Sequence, residues 1–286
     1  MPTSKPITAV IVGAGHRSIC YGRYGITHPD ELKIVGVADP NEFRRKQTAE
    51  EFGIPKEMCF ESAEELASRP RLADAVINGT MDRDHIPTSL PLLEKGYDLL
   101  LEKPIAPSAA EVLQLRDAAR KYGNNVMICH VLRYAPFYSA VRQRVADGEI
   151  GRLLSVQTQE NVSYHHMAVG FVRGKWNREA DSNSMLMAKC CHDMDLITWM
   201  KSGIAPKAVS SFGSRMYFRS ENAPAGSGTR CLLDCAIEAH CPYSARKHYI
   251  EQGLWGMYAW QPVEHLNLDT EGKIKSLRED NPYGRC

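Results

Sequence analysis

Apolar, β-branched residues run without interruption from Ile7 to Val12 and stop at Gly13-Ala14-Gly15. An unbroken run of this kind suits a strand buried on both faces, as in a parallel sheet covered by helices. Four further runs share its character, at 34–38, 73–77, 97–101 and 126–131. Between them lie a helical stretch closing at Gly53, a proline-containing segment from Asp84 to Gly96, and a helix over 108–122 stopped by Gly123. Strands alternating with helices of this length spell βαβ units and predict a doubly wound parallel α/β sheet over 1–130.

After about residue 135 the alternation ends. Residues 136–145 predict a helix, broken by Asp147-Gly148 and Gly151. Residues 153–162, with Val156, Thr158 and Val162, have strand composition, as do 209–217. Between them 184–200 reads as one strong helix, with Ser182 or Ser184 as N-cap and Gly203 at its end. From Arg219 onward the segment reads as loops. The chain thus divides into 1–130 and a second, α+β part at 131–286.

Its 286 residues accommodate two domains, and composition then removes whole classes of function. Thirty-five Lys+Arg against thirty-four Asp+Glu leave a net charge of +1, which gives no bulk field for nucleic acid or an anionic membrane. No apolar run approaches the roughly 18 residues of a membrane span. Met1 to Pro6 leads into a segment too short for a signal-peptide core. Nine cysteines, odd in number and clustered, argue against a disulfide framework. The expectation is a cytoplasmic protein whose partner is a small molecule.

Gly13-Ala14-Gly15-His16-Arg17-Ser18 joins the first strand to the next helical stretch. Small residues there let the backbone turn sharply and let a pyrophosphate approach the N–H groups and dipole of a helix N-terminus. Gly13, Gly15, His16, Arg17 and Ser18 are therefore the candidate cofactor loop; Ser18 stands where Gly or Ala is usual and is still small. Asp39 closes the second strand, where a carboxylate binds the adenosine ribose hydroxyls. It favours NAD, because it repels the 2′-phosphate of NADP. Arg44 and Arg45 keep NADP open, although both also read as the solvated face of a helix.

Together with this loop, Thr80 to His85, Glu102-Lys103-Pro104, Arg133-Tyr134-Ala135-Pro136 and Cys191-His192-Asp193-Met194-Asp195 resemble motifs of the Gfo/Idh/MocA oxidoreductases. The resemblance covers roughly 5–215, in the expected order and spacing. It implies a Rossmann dinucleotide domain followed by an α+β domain whose large open mixed sheet mediates homo-oligomerisation. It also implies NAD(P)-dependent oxidation or reduction of a sugar-like polyol or carbonyl. Thr80, His85 and Glu102 would then border the cofactor, Arg133 the substrate, and Lys103 the substrate hydroxyl. Many relatives carry Asp four residues before the motif His, and here that place is Ala188. The proton route of inositol-dehydrogenase-like members therefore does not transfer.

Two catalytic candidates also stand on their own chemistry. Lys103, at the carboxyl end of a parallel strand and fixed by Pro104, would face the ligand crevice of an open α/β sheet and exchange a proton there. The alternative is a surface ion pair with Glu102. His192 shares a helical face with Lys189 and Asp193 in an otherwise apolar helix, which suits acid–base work or hydroxyl binding. Tyr164, His166 and Arg173, in a loop with Trp176, offer hydrogen bonds and an aromatic surface to a sugar; the same loop could simply be pinned to the helix by Trp176.

Cys20, Cys59 and Cys129 read as small buried hydrophobes. Cys231, Cys235 and Cys241, a C-x3-C-x5-C run, join Cys286 as enough thiolates for a structural zinc or an iron–sulfur centre. His240 and His248 are spare ligands, the spacing fits no common zinc motif, and free thiols are the alternative.

These readings converge on an NAD(P)-dependent dehydrogenase or reductase acting on the CH–OH groups of a sugar or polyol. A redox-neutral, NAD-dependent glycoside-cleaving enzyme and a non-catalytic NAD(P)-binding regulator are the alternatives. No closing element follows Asn281-Pro282-Tyr283-Gly284-Arg285-Cys286, so the second part is expected to be C-terminally truncated.

Overall fold

In the computed structural model, which describes residues 5–254, 259, 260, 264 and 267–286, the apolar runs of the first part are parallel strands. The first four residues of the N-terminal lead lie outside the described residues. The strands are β1 (Ile7–Val12), β2 (Leu32–Ala38), β3 (Cys59–Phe60), β4 (Ala75–Asn78), β5 (Asp98–Leu101) and β6 (Val126–Ile128). They form one sheet in the order β3-β2-β1-β4-β5-β6. β3, at two residues, is too short to show a period and was invisible to patterning.

Double burial explains why β1 carries no polar residue from Ala9 onward. Ala9 and Ile11 pack with Ile19, Ile34, Val37 and Ile77 on one face. Val10 and Val12 pack with Leu66, Val76, Leu92, Leu99, Leu101 and Leu115 on the other. Each fully buried Val, Ile or Leu contributes about 1.5–3 kcal/mol.

The helices of this part are α1 (His16–Gly22), α2 (Tyr24–Thr27), α3 (Glu42–Phe52), α4 (Ala63–Ser68), α5 (His85–Glu94) and α6 (Ala109–Tyr122). Their ends follow local chemistry. Asn41 caps α3 by accepting the Arg44 N–H at 3.0 Å, and Gly53 ends it at φ 65°. Ser108 and Glu111 cap α6, with Ser108 Oγ accepting the Glu111 N–H at 3.3 Å, and Gly123 ends it at φ 75°. Strand order reverses between β1 and β4, which opens a crevice at the carboxyl ends of the strands.

The chain forms two compact units. The first holds Met1–Cys129, Ala180–Asn183 and Leu254–Lys273; the second holds His130–Glu179, Ser184–Gly253 and Ile274–Cys286. The second unit contains α7 (Pro136–Ala146), α8 (Tyr164–Met167) and α9 (Cys191–Met200). A further helix, α10, spans Thr270–Glu279.

Two expectations for the later part fail. Residues 153–162 and 209–217 form no strand, and the large open mixed sheet is absent among the described residues. Their strand-forming composition remains, but a ladder needs a neighbour, and neither segment pairs with described residues. Leu154, Val209 and Phe212 are exposed accordingly, at 75%, 83% and 97%. The expected 184–200 helix is also divided: Leu186–Cys190 make a wider π-type turn before α9 begins. Among the described residues no helix is long and apolar enough to cross a membrane.

Two glycines separate backbone strain from crowding. Gly13 has φ 76°, and a Cβ there would lie 2.8 Å from the Thr80 nitrogen. Gly53 has φ 65° with nothing within 4 Å of the same position. Gly53→Ala should cost about 1 kcal/mol, whereas Gly13→Ala should cost at least about 2–3 kcal/mol because backbone must move as well. Urea unfolding of the two variants checks this; equal losses would mean that Gly13 is needed only for its φ.

Candidate functional site

The turn after β1 is fixed to the end of β2. Ala14 N–H donates to Asp39 Oδ2 at 2.7 Å, and Asn41 N–H donates to Asp39 Oδ1 at 2.8 Å. Asp39 is buried, so its carboxylate is held by backbone donors rather than by solvent. Arg45 Nη1 donates to the Asp39 carbonyl at 2.6 Å, and Arg44 Nε to Glu264 Oε1 at 2.6 Å. Gly15 lines open space, the nearest atom to a hypothetical Cβ being Gly79 O at 3.9 Å. His16 opens α1 half-buried, and burial, then the Arg17 and Arg23 charges, hold its ring below the ordinary histidine value. Arg17 is exposed.

Ser18 differs from the expectation for it. Its side chain is fully buried, and a Cβ on Gly79 would lie 2.2 Å from its Oγ. Ser18 therefore packs α1 onto the turn after β4 and does not face a ligand. At that turn Asn78, also fully buried, donates to Thr88 Oγ1 at 2.9 Å and Ser89 Oγ at 3.0 Å. Its Oδ1 accepts the Thr80 hydroxyl at 2.8 Å, which fixes Thr80 at the crevice. Patterning missed Asn78; a polar residue closing an apolar strand was its available signal.

After β5 come Glu102, Lys103 and a cis Lys103–Pro104 bond. Glu102 is buried: Oε2 accepts the Lys103 backbone N–H at 2.9 Å, and Oε1 accepts the Tyr21 hydroxyl. Burial, then the Glu102 charge, pushes the Tyr21 phenol well above its usual range. The same two causes push the nearby Cys129 thiol up to about 12. His85, expected to border the cofactor, is buried instead, with Nδ1 2.8 Å from the Pro104 carbonyl. It supports the Glu102-Lys103-Pro104 turn from behind. Gly13, Thr80 and Lys103 thus follow β1, β4 and β5, adjacent strands at the switch point.

In the second unit, Arg133 is committed to a bidentate pair with Asp195, at 2.7 and 2.6 Å, rather than left open to a substrate. His130 Nε2 lies 4.0 Å from the same carboxylate, and its ring meets His192 edge-on at 6.1 Å. Lys189 falls in the π-type turn just before α9, and its Nζ lies 2.5 Å from His166 Nε2. Asp193 Oδ2 is buried without a hydrogen-bond partner. Tyr164 is half-exposed, with its ring 6.0 Å from Tyr243. Arg173, expected at a substrate, is only 3% exposed and donates to the Tyr243 carbonyl.

The cysteine expectation is corrected as well. Among the described residues no three His, Cys, Asp or Glu are placed to hold a metal ion, and Cys231, Cys235, Cys241 and Cys286 are all free thiols. Backbone bonds staple this segment in place of a metal. Cys231 N–H donates to Gly284 O at 3.0 Å and Cys286 N–H to Thr229 O at 2.8 Å. Asp234 accepts from the Thr229 and Arg230 N–H groups at 3.0 and 2.7 Å. The Thr229 hydroxyl, donating at 2.6 Å, and then these backbone bonds hold the Asp234 carboxyl down at about 2.

Residues 7–130 match the family described as the Gfo/Idh/MocA oxidoreductases with an NAD-binding Rossmann fold, and residues 138–237 match that family's C-terminal domain. Trans-1,2-dihydrobenzene-1,2-diol dehydrogenase of Mus musculus is 33% identical over 88% of this chain and 72% of its own length. The Bos taurus enzyme of that name is 30% identical over 65% of this chain and 52% of its own length. Inositol 2-dehydrogenase of Corynebacterium glutamicum is 26% identical over 69% of this chain and 55% of its own. The chain spans about half the length of most curated relatives it matches. Among solved structures, scyllo-inositol dehydrogenase from Lactobacillus casei has the same fold, with TM-score 0.58, 20% identity and coverage of 69% of this chain and 55% of that one.

The histidines of the second unit set a pH dependence. Burial, then the charges of His165 and Arg173, pushes the fully buried His248 down from 6.5 to about 4, and burial lowers His165 too. Between those values the unfolded chain binds more protons than the folded one, so acidification favours unfolding. The urea midpoint should therefore fall as pH drops from 6.5 towards 4, less steeply in His248→Gln. Identical slopes in the two proteins would remove His248 from this account.

Proposed function

The chain belongs to the Gfo/Idh/MocA oxidoreductase family, and from that premise we propose that it is an NAD(P)-dependent oxidoreductase acting on a sugar or polyol. One observation carries the reading: Gly13, Thr80 and Lys103 follow three adjacent parallel strands, at the carboxyl edge where open α/β sheets bind dinucleotides. The turn fits a dinucleotide. Gly13 lets two backbones touch, Gly15 borders open space, and the N-cap position of α1 carries no side chain that competes for its first N–H groups.

NAD is favoured over NADP. The Asp39 carboxylate is oriented by two backbone donors and keeps lone pairs for ribose hydroxyls, while its charge opposes a 2′-phosphate. Arg44 and Arg45, the two cations able to welcome that phosphate, are engaged with Glu264 and the Asp39 carbonyl.

When bound, the nicotinamide supplies a hydride acceptor at its C4. Lys103, at the carboxyl end of β5, would exchange the proton of the substrate hydroxyl as the carbonyl forms. Glu102 aims Lys103 through the backbone N–H it accepts, and Tyr21 holds Glu102. In the second unit His192 is a separate candidate for hydroxyl binding or acid–base work, with its ring edge-on to His130, which lies beside the Arg133–Asp195 pair.

Purified protein should bind NAD more tightly than NADP and reduce it with at least one member of a polyol and aldose panel. Lys103→Ala should lower kcat by about 10²–10⁴ while NAD affinity is kept. Full turnover in that variant would reject Lys103 as the proton-transfer residue. Glycoside cleavage without net NADH would favour the redox-neutral reading, and NAD binding with neither outcome would favour the regulator.

A further inference from the structure

Arg173 lies buried inside the second unit, hydrogen-bonded to neutral groups. Its side chain is 3% exposed, and it donates to the Tyr243 carbonyl and, through Nη1 at 4.0 Å, to Cys231 Sγ. Nε has no hydrogen-bond partner. None of the ion pairs among the described residues involves Arg173. A guanidinium keeps its charge in proteins, and a buried charge without a counter-charge is heavily penalised.

The thiols, phenol and imidazoles facing it do not supply that counter-charge at neutral pH. Cys231 and Cys286 stay thiols, because burial raises both despite the attraction of Arg173. Burial likewise holds Tyr249 as a neutral phenol and keeps His165 and His248 uncharged. His248 is the second donor. It is fully buried, and neither ring nitrogen makes a hydrogen bond of good geometry, although the Pro242 carbonyl bears on the ring. Its ring meets His165 edge-on at 4.8 Å and lies 6.3 Å from Tyr249. The neighbourhood is therefore one buried cation ringed by neutral N–H, O–H and S–H donors, a set that matches an oxyanion.

We propose that the second unit holds a small oxyanion, a carboxylate or phosphate group, on Arg173 with the His248 ring as a second donor. The anion neutralises the guanidinium and accepts from Arg173 Nε. Its test needs no turnover.

The 286-residue protein, dialysed into chloride buffer, is melted with inorganic phosphate, acetate or glucuronate at matched ionic strength. A ligand at about a hundred times its Kd should raise Tm by roughly 5 °C or more. A shift with phosphate alone identifies phosphate or phosphorylated compounds as the source, and a shift with the carboxylates identifies sugar acids; either supports the site. Arg173→Met keeps the length of the side chain and removes the charge. It should abolish the anion-dependent shift and melt no lower than wild type in chloride alone. Should that variant fail to fold, Arg173→Lys, which keeps the charge without the fork, should show at least about fivefold weaker anion binding by calorimetry. In wild type, the His248 ring should titrate at higher pH when the anion is present. No shift beyond matched chloride with any of the three anions, or an undiminished shift in the Arg173 variant that folds, overturns the proposal.

Discussion

Two turns of backbone touch where Gly13 meets Thr80, and the first unit is arranged around that approach. No side chain fits between them, so β1 and β4 can end side by side and leave their carboxyl ends open. Ser18 packs against Gly79 on the same principle, drawing α1 down onto the sheet. Asp39 completes the arrangement by holding the Ala14 N–H at 2.7 Å, so the end of β2 fixes the turn after β1. Remove the contact and the crevice loses its floor. The residues that would touch a ligand are few; those that shape the crevice are more numerous and mostly buried.

Supporting residues account for much of the chemistry assigned here. Asn78, Tyr21 and His85 hold Thr80, Glu102 and the Pro104 carbonyl, each through a buried or half-buried hydrogen bond. Such bonds matter because a low dielectric strengthens each contact and penalises any polar group left alone. The second unit shows both sides of that rule. Arg133 and Asp195 satisfy one another through a bidentate pair, whereas Arg173 is buried among neutral groups.

The nucleotide fold was largely legible from the chain because its signals are local. A strand buried on both faces must be apolar, and β1 is so from Ala9 to Val12. A helix must be capped and stopped, and Ser108 and Gly123 do so. The glycine turn, the position of Asp39 and the Glu102-Lys103-Pro104 run were read in the same way. The second unit was less legible. Strand composition at 153–162 and 209–217 gave no strand, since pairing depends on a partner that composition does not specify. The cysteine spacing suggested a metal, but backbone bonds to Gly284 and Thr229 and the Asp234 carboxylate hold that segment instead.

The order of short motifs along the chain determined the family, the alternating βα pattern of the first unit and the positions of Gly13, Asp39, Lys103 and His192. Tertiary structure alone decided which polar residues work outward and which work inward. Ser18 and His85 lie in motif positions yet point into the core, and Arg133 is taken by Asp195. Lys189, in the π-type turn at Leu186–Cys190, meets His166, 23 residues earlier in the chain. Propensity and spacing act between near neighbours, so they can be read from the chain. Burial and charge pairing depend on residues far apart in sequence, and those are fixed only once the chain has folded.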